Sequence, residues 1–301
     1  MIDKFKPFFG YIAIIGPTNS GKSTLVNRFM GTKVSIVTHK VQTTRTRVLG
    51  VLTQKPFQLV FIDTPGIFVP VRRLDRAMVS AAWRGVYDAD KIVLLIDSKK
   101  GLHEDVINIV FELQKIGKSP ILVLNKIDLI SRSYLLNLTK GFSEVSDFPS
   151  IFMVSALNGD GVTDLLEKLF EELPSGPWLY PEDQLTDLNE RLFAAEITRE
   201  KLFLHLHQEL PYSLTVETEE WQNCGDGSVK IHQIVYVERA GQRGIVLGKG
   251  GKQIKRVGIE AREELQKILR CRVHLFVFVK VRESWADEPA RYREIGLDFV
   301  N

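Results

Sequence analysis

The sequence predicts a two-domain chain: an α/β domain with a mainly parallel sheet built on a phosphate-binding loop, then a smaller α+β domain. Three observations predict it. Apolar runs alternate with amphipathic stretches from about residue 9 to 172. The loop GPTNSGKST, residues 16–24, follows directly on the apolar run Tyr11–Ile15. The alternation then stops at PSGPWLYPED, residues 174–183, whose three prolines and one glycine break any regular element. A length of 301 residues leaves enough chain for a core in each part.

In order along the chain, FGYIAIIG, VLGVLTQ, FQLVFIDT, KIVLLID, PILVLNK and IFMVSA read as strands. Between several of them lie helical stretches such as GKSTLVNRFM, EDVINIVFELQKIG and GDGVTDLLEKLFEEL. Strands alternating with helices predict a parallel sheet covered on both faces, with ligands at the carboxyl ends of the strands. After the proline-rich linker we expect a long amphipathic helix near Leu185 to Leu210, then the strands SLTVETEEW and SVKIHQIVYVER. The glycine-rich GQRGIVLGKGG, a basic helix from Lys252 to Leu269, the strand RVHLFVFVKV and a short helix in WADEPARYREIGLDF complete the order. The expected boundaries are 1–175 for the first domain, 176–183 for the linker and 184–301 for the second domain with its C-terminal helix.

Composition narrows the functional classes. A net charge of +3 excludes a global polycation, so any nucleic-acid surface must be local. Cys224 and Cys271 form neither a disulfide framework nor a zinc spacing, which suits a reducing cytosol. His205 and His207, two apart, do not share a helical face and are not expected to be metal ligands. No stretch approaches 18 apolar residues. The start, MIDKFKPFFGYIAIIG, has the charge-then-apolar order of a signal peptide but runs straight into the phosphate loop, so it is expected to enter the first strand.

The chemistry begins at Gly16-x-x-x-x-Gly21-Lys22-Ser23, the spacing of a phosphate-binding loop. Its glycines let consecutive N–H groups, including those of Asn19, Ser20 and Thr24, point at phosphate oxygens. Lys22 adds a point charge toward the β- and γ-phosphates, and the Ser23 hydroxyl is suited to Mg²⁺. In FQLVFIDTPG, Asp63 is placed to reach Mg²⁺ through water, and Gly66 can offer its N–H to the γ-phosphate. In PILVLNKID, the carboxylate of Asp128 can accept two hydrogen bonds from the N1–H and 2-amino edge of guanine. Adenine would leave it unpaired, at about 1–3 kcal/mol per unsatisfied buried group. Asn125 and Lys126 precede it, the lysine stem able to cover a face of the base. IFMVSAL then offers the amides of Ser155 and Ala156 to the guanine O6. In this order and spacing the four segments resemble the G domain of GTPases, and the expected nucleotides are GTP and GDP.

The polar, basic loop from Thr32 to Arg47 has the character of a switch, with Thr43 and Thr44 as candidates to meet Mg²⁺ and the γ-phosphate. QTTRTR is similar to the TTR or VTR motif of the Era and EngA class, which favours Thr44. Lys22, Thr44, Asp63 and Gly66 form the expected catalytic set. Where Ras-like proteins carry a glutamine to orient water, this chain has Ile67, so hydrolysis unaided is expected to be slow. In Era-like GTPases an asparagine at the position of Asn19 is associated with a potassium ion, and its amide oxygen suits such a cation.

The second domain has its own signature. IVLGKGGKQI, residues 245–254, carries two aliphatics, then Gly248-Lys249-Gly250-Gly251, then an aliphatic three on, the core pattern of a KH domain. Missing side chains let a nucleic-acid backbone approach, while Arg243, Lys249, Lys252, Lys255 and Arg256 supply cations. The order of elements resembles a type II KH fold. One G domain followed by one type II KH domain resembles the Era family; EngA-type proteins carry two G domains, and here there is a single phosphate loop. LNERLFAAEITREKLFLHLHQELPYS is also similar to the long first helix of the Era KH domain.

That resemblance implies binding to small-subunit ribosomal RNA near its 3′ end and action in maturation of the 30S subunit. The other reading is an RNA-binding module whose G domain holds nucleotide without useful turnover. The remaining expectations are a monomer in the cytoplasm, with peripheral association with the inner membrane and no DNA partner.

Overall fold

The computed structural model describes residues 6–300, so the first five residues of the expected first domain, and Asn301 at the end of the second, lie outside the described residues. Within them the chain divides into two compact units. One holds residues 6–37, 44–187 and 296–300; the other holds 38–43 with 188–295.

The first unit is ordered β1 (Phe8–Ile15), α1 (Lys22–Met30), β2 (Val48–Gln54), β3 (Phe57–Asp63), α2 (Arg73–Asp88), β4 (Lys91–Asp97), α3 (Glu104–Lys115), β5 (Ile121–Asn125), α4 (Arg132–Val145), β6 (Ile151–Val154) and α5 (Val162–Glu171). Its six strands lie in the order β2-β3-β1-β4-β5-β6. All pairs are parallel except β2 with β3, which is antiparallel. Alternate residues of β1 enter different cores: Ala13 and Ile15 pack on one face of the sheet, Ile12 and Ile14 on the other. A strand buried on both faces reads as a continuous apolar run, which is why IAII is unbroken. Because β1, β3, β4, β5 and β6 run the same way, their carboxyl ends share one edge, and that edge carries the site.

The second unit is ordered α6 (Glu190–His205), β7 (Leu214–Asn223), β8 (Val229–Val237), α7 (Ala240–Leu247), α8 (Lys252–Leu269), β9 (Val273–Val281) and α9 (Pro289–Glu294). β7 pairs antiparallel with β8, and β8 parallel with β9. Ala195 and Leu202 of α6, Val246, Val257, Val235 and Val279 meet in its core.

The division differs from the expected 1–175, 176–183 and 184–301, and the reason is hydrogen bonding. Residues 174–187 do not stand free: Val51 N–H donates to Leu185 O at 2.9 Å, and Leu49 N–H to Asp187 Oδ1 at 3.0 Å. The buried amide of Gln58 donates to Tyr180 O and accepts from the Leu179 and Tyr180 amides. The segment is thereby annexed to β2 and β3. In the second unit, residues 38–43 are held by α6: Lys40 Nζ donates to the carbonyls of Phe203 and Leu206, capping the end of that helix. The buried Arg199 donates to Thr43 O at 2.6 Å.

Two elements also differ from expectation. The helix expected over 185–210 spans only Glu190–His205, because 185–187 are bound to β2 and Leu206 turns extended. Residues 240–247, read as glycine-rich loop, form α7. Gln242 holds its start by accepting from the amides of Glu238 and Arg239, and Val246 anchors it in the core.

Candidate functional site

The turn after β1 places Gly16 to Ser20 beneath the start of α1, whose first residue is Lys22. Gly21 sits at φ 100°, and a Cβ there would meet Asn125 Nδ2 at 2.3 Å, so only glycine fits. The Lys22 ammonium donates to the carbonyls of Gly16 at 3.2 Å and Pro17 at 2.9 Å, folded back within its own loop. Burial lowers its pKa to about 8, against the attraction of Asp63, which raises it. A desolvated cation of this kind is primed for an anion.

Around it stand the groups the sequence points to for Mg²⁺. Ser23 Oγ and Thr44 Oγ1 are 2.8 Å apart. Thr43, by contrast, turns away, its hydroxyl bonded to Thr38 Oγ1 and Lys40 O. Asp63 is fully buried at the end of β3. Its Oδ2 accepts from Ser35 Oγ at 2.6 Å, whereas Oδ1 has no hydrogen-bond partner among the described residues. Burial holds the Asp63 carboxyl above its usual range, while Ser35, Ser23, Lys22 and Thr44 pull the other way. Two hydroxyls and a buried, unsatisfied carboxylate oxygen form a hard-oxygen set that fits Mg²⁺.

Gly66 follows two residues after Thr64, and a Cβ on it would come within 2.6 Å of Thr18 Cγ2 and 2.8 Å of Thr18 Cα. The loop after β3 therefore packs directly on the phosphate loop, with Ile67 N–H donating to Gly16 O at 3.0 Å. Ile67 itself is buried in the core and offers no hydrogen bond to a water.

At the base-recognition end, Asn125 is a cross-brace. Its Nδ2 donates to Ser20 O at 2.7 Å and its Oδ1 accepts from the Ala156 amide at 2.9 Å. The Ser155 amide donates to Asp160 O. Both amides expected to face guanine are thus engaged within the protein, where they fix the loop after β6. Lys126, in the left-handed region at φ 64°, donates to Asn19 O and to Asp97 Oδ2, each at 2.7 Å. Its ammonium is anchored while its stem stays available to a base. Asp128 lies exposed just beyond. Asn19 takes φ 65°, the conformation of a turn residue.

Sequence reasoning missed three members of this frame. Asp97 ends β4 on the same sheet edge, a position that could have flagged it. Ser35 and Arg28 carried no signal; Arg28 donates to the carbonyls of Ala156 and Leu157.

In the second unit, α7 and α8 are joined by Gly248–Gly251. Gly250 is at φ 61°, and a Cβ there would meet nothing within 4 Å, so the loop is open as well as left-handed. Lys249, Lys252, Lys255 and Arg256 are exposed. Arg256 pairs with Glu260 at 3.0 Å, and Arg243 donates to Val279 O on β9. The three lysines make no ion pair among the described residues. The arrangement is a bare backbone turn ringed by exposed positive charge, suited to phosphodiesters.

Comparison with known proteins agrees with both halves. Residues 11–126 match a family model described as a 50S ribosome-binding GTPase, and residues 209–286 match a KH-domain model. The chain is 57% identical to GTPase Era of Sinorhizobium medicae, over 96% of this chain and 94% of that protein. It is 58% identical to GTPase Era of Agrobacterium fabrum, over 96% and 92%. Among solved structures it is similar to Era in complex with MgGDPNP and nucleotides 1506–1542 of 16S ribosomal RNA, at a TM-score of 0.92 and 37% identity over 96% and 99% of the two chains. A variant of Aquifex aeolicus Era bound to GDP and AlF4⁻ matches at the same TM-score, identity and coverage.

Proposed function

The chain belongs to the Era family of GTPases, and on that premise we propose that it is a GTP-hydrolysing switch that binds small-subunit ribosomal RNA near its 3′ end and acts in 30S assembly. The observation that carries the enzymatic half is the convergence of Ser23, Thr44 and the unsatisfied Oδ1 of Asp63 beside the desolvated Lys22. Ser23 and Thr44 would hold Mg²⁺ directly, and Asp63 through water. Bound there, the ion neutralises charge on the β- and γ-phosphate oxygens. Lys22 exchanges its two carbonyl partners for phosphate oxygens, and the packed loop at Gly66 presents its N–H to the γ-phosphate. Thr44 already lies against Ser23, so a bound Mg²⁺ would tie its loop to the phosphate loop and its loss would release it, which gives the protein two states. Asp128 reads guanine, on a frame braced by Asn125 and Lys126.

We assign the nucleotide chemistry to the unit ending at residue 187 and RNA binding to 188–295, through Gly248–Gly251 and its lysines. With Ile67 unable to orient water, hydrolysis is slow without help, and Asn19 is proposed to bind a potassium ion that supplies it. The protein is proposed to act as a monomer in the cytoplasm, with peripheral association with the inner membrane; no helix among the described residues is long and apolar enough to cross one. Light scattering and membrane fractionation check those two points.

The same Ile67 favours a second reading, in which nucleotide is held for shape alone. Multiple-turnover phosphate release, measured with and without RNA in KCl and in NaCl at equal ionic strength, separates the two. Stimulation by RNA supports the switch; absence of turnover under every condition leaves the shape reading. Faster release in KCl that is erased by Asn19→Ala supports the potassium site, and equal rates in both salts remove it.

A further inference from the structure

The sheet of the second unit has two faces, and only one is fully explained by folding. Ile231, Val235 and Val279 point inward to α6 and α8, while Lys230, His232, Ile234 and Tyr236 of β8 alternate to the outer face beside His274, Phe276, Phe278 and Lys280 of β9. One end of that outer face is covered by the C-terminal segment. Arg291 lies over Tyr236 at 4.5 Å and pairs with Glu217, and Ile234, Trp285 and Tyr292 are buried.

The other end is open. Phe276 is 43% and Phe278 51% exposed. The His232 ring stands 4.8 Å from Phe276 and 6.1 Å from Phe278, so three rings form one strip. Lys230 Nζ is 6.0 Å from the centre of Phe276. His232 Nε2 is shielded from solvent and has no hydrogen-bond partner among the described residues.

We propose that this strip is a second RNA site, on which single-stranded bases stack beyond the Gly248–Gly251 loop; it rests on the RNA-binding reading above. Charge selects the occupant. Of the carboxylates at the border, Glu219 pairs with Lys280 at 3.2 Å, Asp226 accepts from the Ser228 amide and hydroxyl, and Glu220 lies 3.7 Å from His232. Lys230 and the exposed Arg270 and Arg272 at the β8–β9 end are left to meet an anionic backbone.

Geometry selects it too. Phe276 and Phe278, two apart on one strand, are spaced about 7 Å, room for a base against each ring. β9 is the edge strand of the sheet. Its Val277 packs against the same core as Leu247 and Ile254, the two aliphatics flanking the glycine loop. RNA leaving that loop needs only to round an edge that no further strand covers, where Arg243 donates to Val279 O, to reach the strip.

The test uses the full chain and mixed-sequence single-stranded RNA of two lengths, about 5 and about 15 nucleotides. Phe276→Ala with Phe278→Ala should weaken the longer RNA about ten- to a hundredfold and leave the shorter one unchanged. Phe276→Tyr with Phe278→Tyr should restore the longer one. Retained binding of the shorter RNA in the alanine variant reports that the second unit folds. Wild-type affinity of the alanine variant for the longer RNA overturns the proposal and turns the strip over to a protein partner. Lys249→Asp with Gly250→Asp should abolish binding of the shorter RNA; if it does not, the glycine-loop reading fails, independently of the strip.

Discussion

The two loops proposed to bind phosphate in this molecule are built in opposite ways. The one at residues 16–24 is buried and cross-linked: Asn125, Lys126 and Lys22 all spend hydrogen bonds on its carbonyls. The one at 248–251 is closed by its own Gly251 N–H to Gly248 O, has no side-chain brace among the described residues, and displays Lys249 to solvent. Chemistry on a phosphoryl group needs fixed positions, so its loop is assembled before the ligand arrives. A nucleic-acid backbone brings regular charge of its own, and its loop need only stay out of the way.

If that contrast holds, damage to the open loop should be severe and local. Lys249→Asp with Gly250→Asp puts carboxylates where phosphates must approach. RNA binding should disappear in a filter or anisotropy assay, while phosphate release without RNA stays at the wild-type rate. A parallel loss of basal turnover would dissolve the distinction between the two loops.

In the braced loop, Lys22→Ala should lower GTP affinity or turnover about a hundredfold or more. Asp128→Asn should weaken GTP binding about ten- to a hundredfold and shift preference toward a xanthosine nucleotide, whose 2-oxo group accepts from the new amide. Unchanged GTP affinity in the second variant removes Asp128 from base recognition.

A smaller effect separates bracing from ligand contact. Asn125→Ala orphans the Ser20 carbonyl and the Ala156 amide, at a cost of about 2–4 kcal/mol in denaturant unfolding without nucleotide. A residue used only to touch guanine would leave that stability unchanged.

The smallest effect is on protons. Lys22 in the folded, nucleotide-free protein has its pKa lowered from 10.5 to about 8. Between those values the unfolded chain binds more protons, so the contribution of Lys22 raises stability as pH increases through that window. Below about 8 the burial cost is felt in full. Bound phosphates favour the charged form, so nucleotide binding near pH 8.5 should take up a fraction of a proton. Calorimetry in buffers of different ionisation enthalpy measures it, and Lys22→Ala should abolish the uptake.

What was legible in the sequence follows the same contrast. GPTNSGKST, DTPG, NKID and the GKGG turn could be read because a glycine, a lysine or a carboxylate is demanded at a fixed spacing by the ligand itself. The braces could not. Ser35 on Asp63, Asp97 on Lys126 and Arg28 on Ala156 join residues far apart in the chain, and each depends on the fold having formed first. The helix α7 was hidden for a local reason: Gly241 and Gly244 lower its propensity, and it is held by Val246 and the Gln242 cap. The antiparallel direction of β2 is written in its connection rather than its pattern: only Lys55 and Pro56 separate VLGVLTQ from FQLVFID, and a parallel pair needs a crossover of a dozen residues or more.

Residues 174–187 have a protective consequence as well. β2 is the outermost strand of its sheet and carries Val48, Leu49 and Val51. An open apolar strand edge is a template for pairing with other chains and for aggregation. The polypeptide that leaves α5 folds back over that edge, with Leu185 and Asp187 taking the amides of Val51 and Leu49. Truncation at residue 175 would therefore bare a hydrophobic edge, whereas truncation after 187 would keep it covered. The stretch read as a spacer doubles as a guard on solubility.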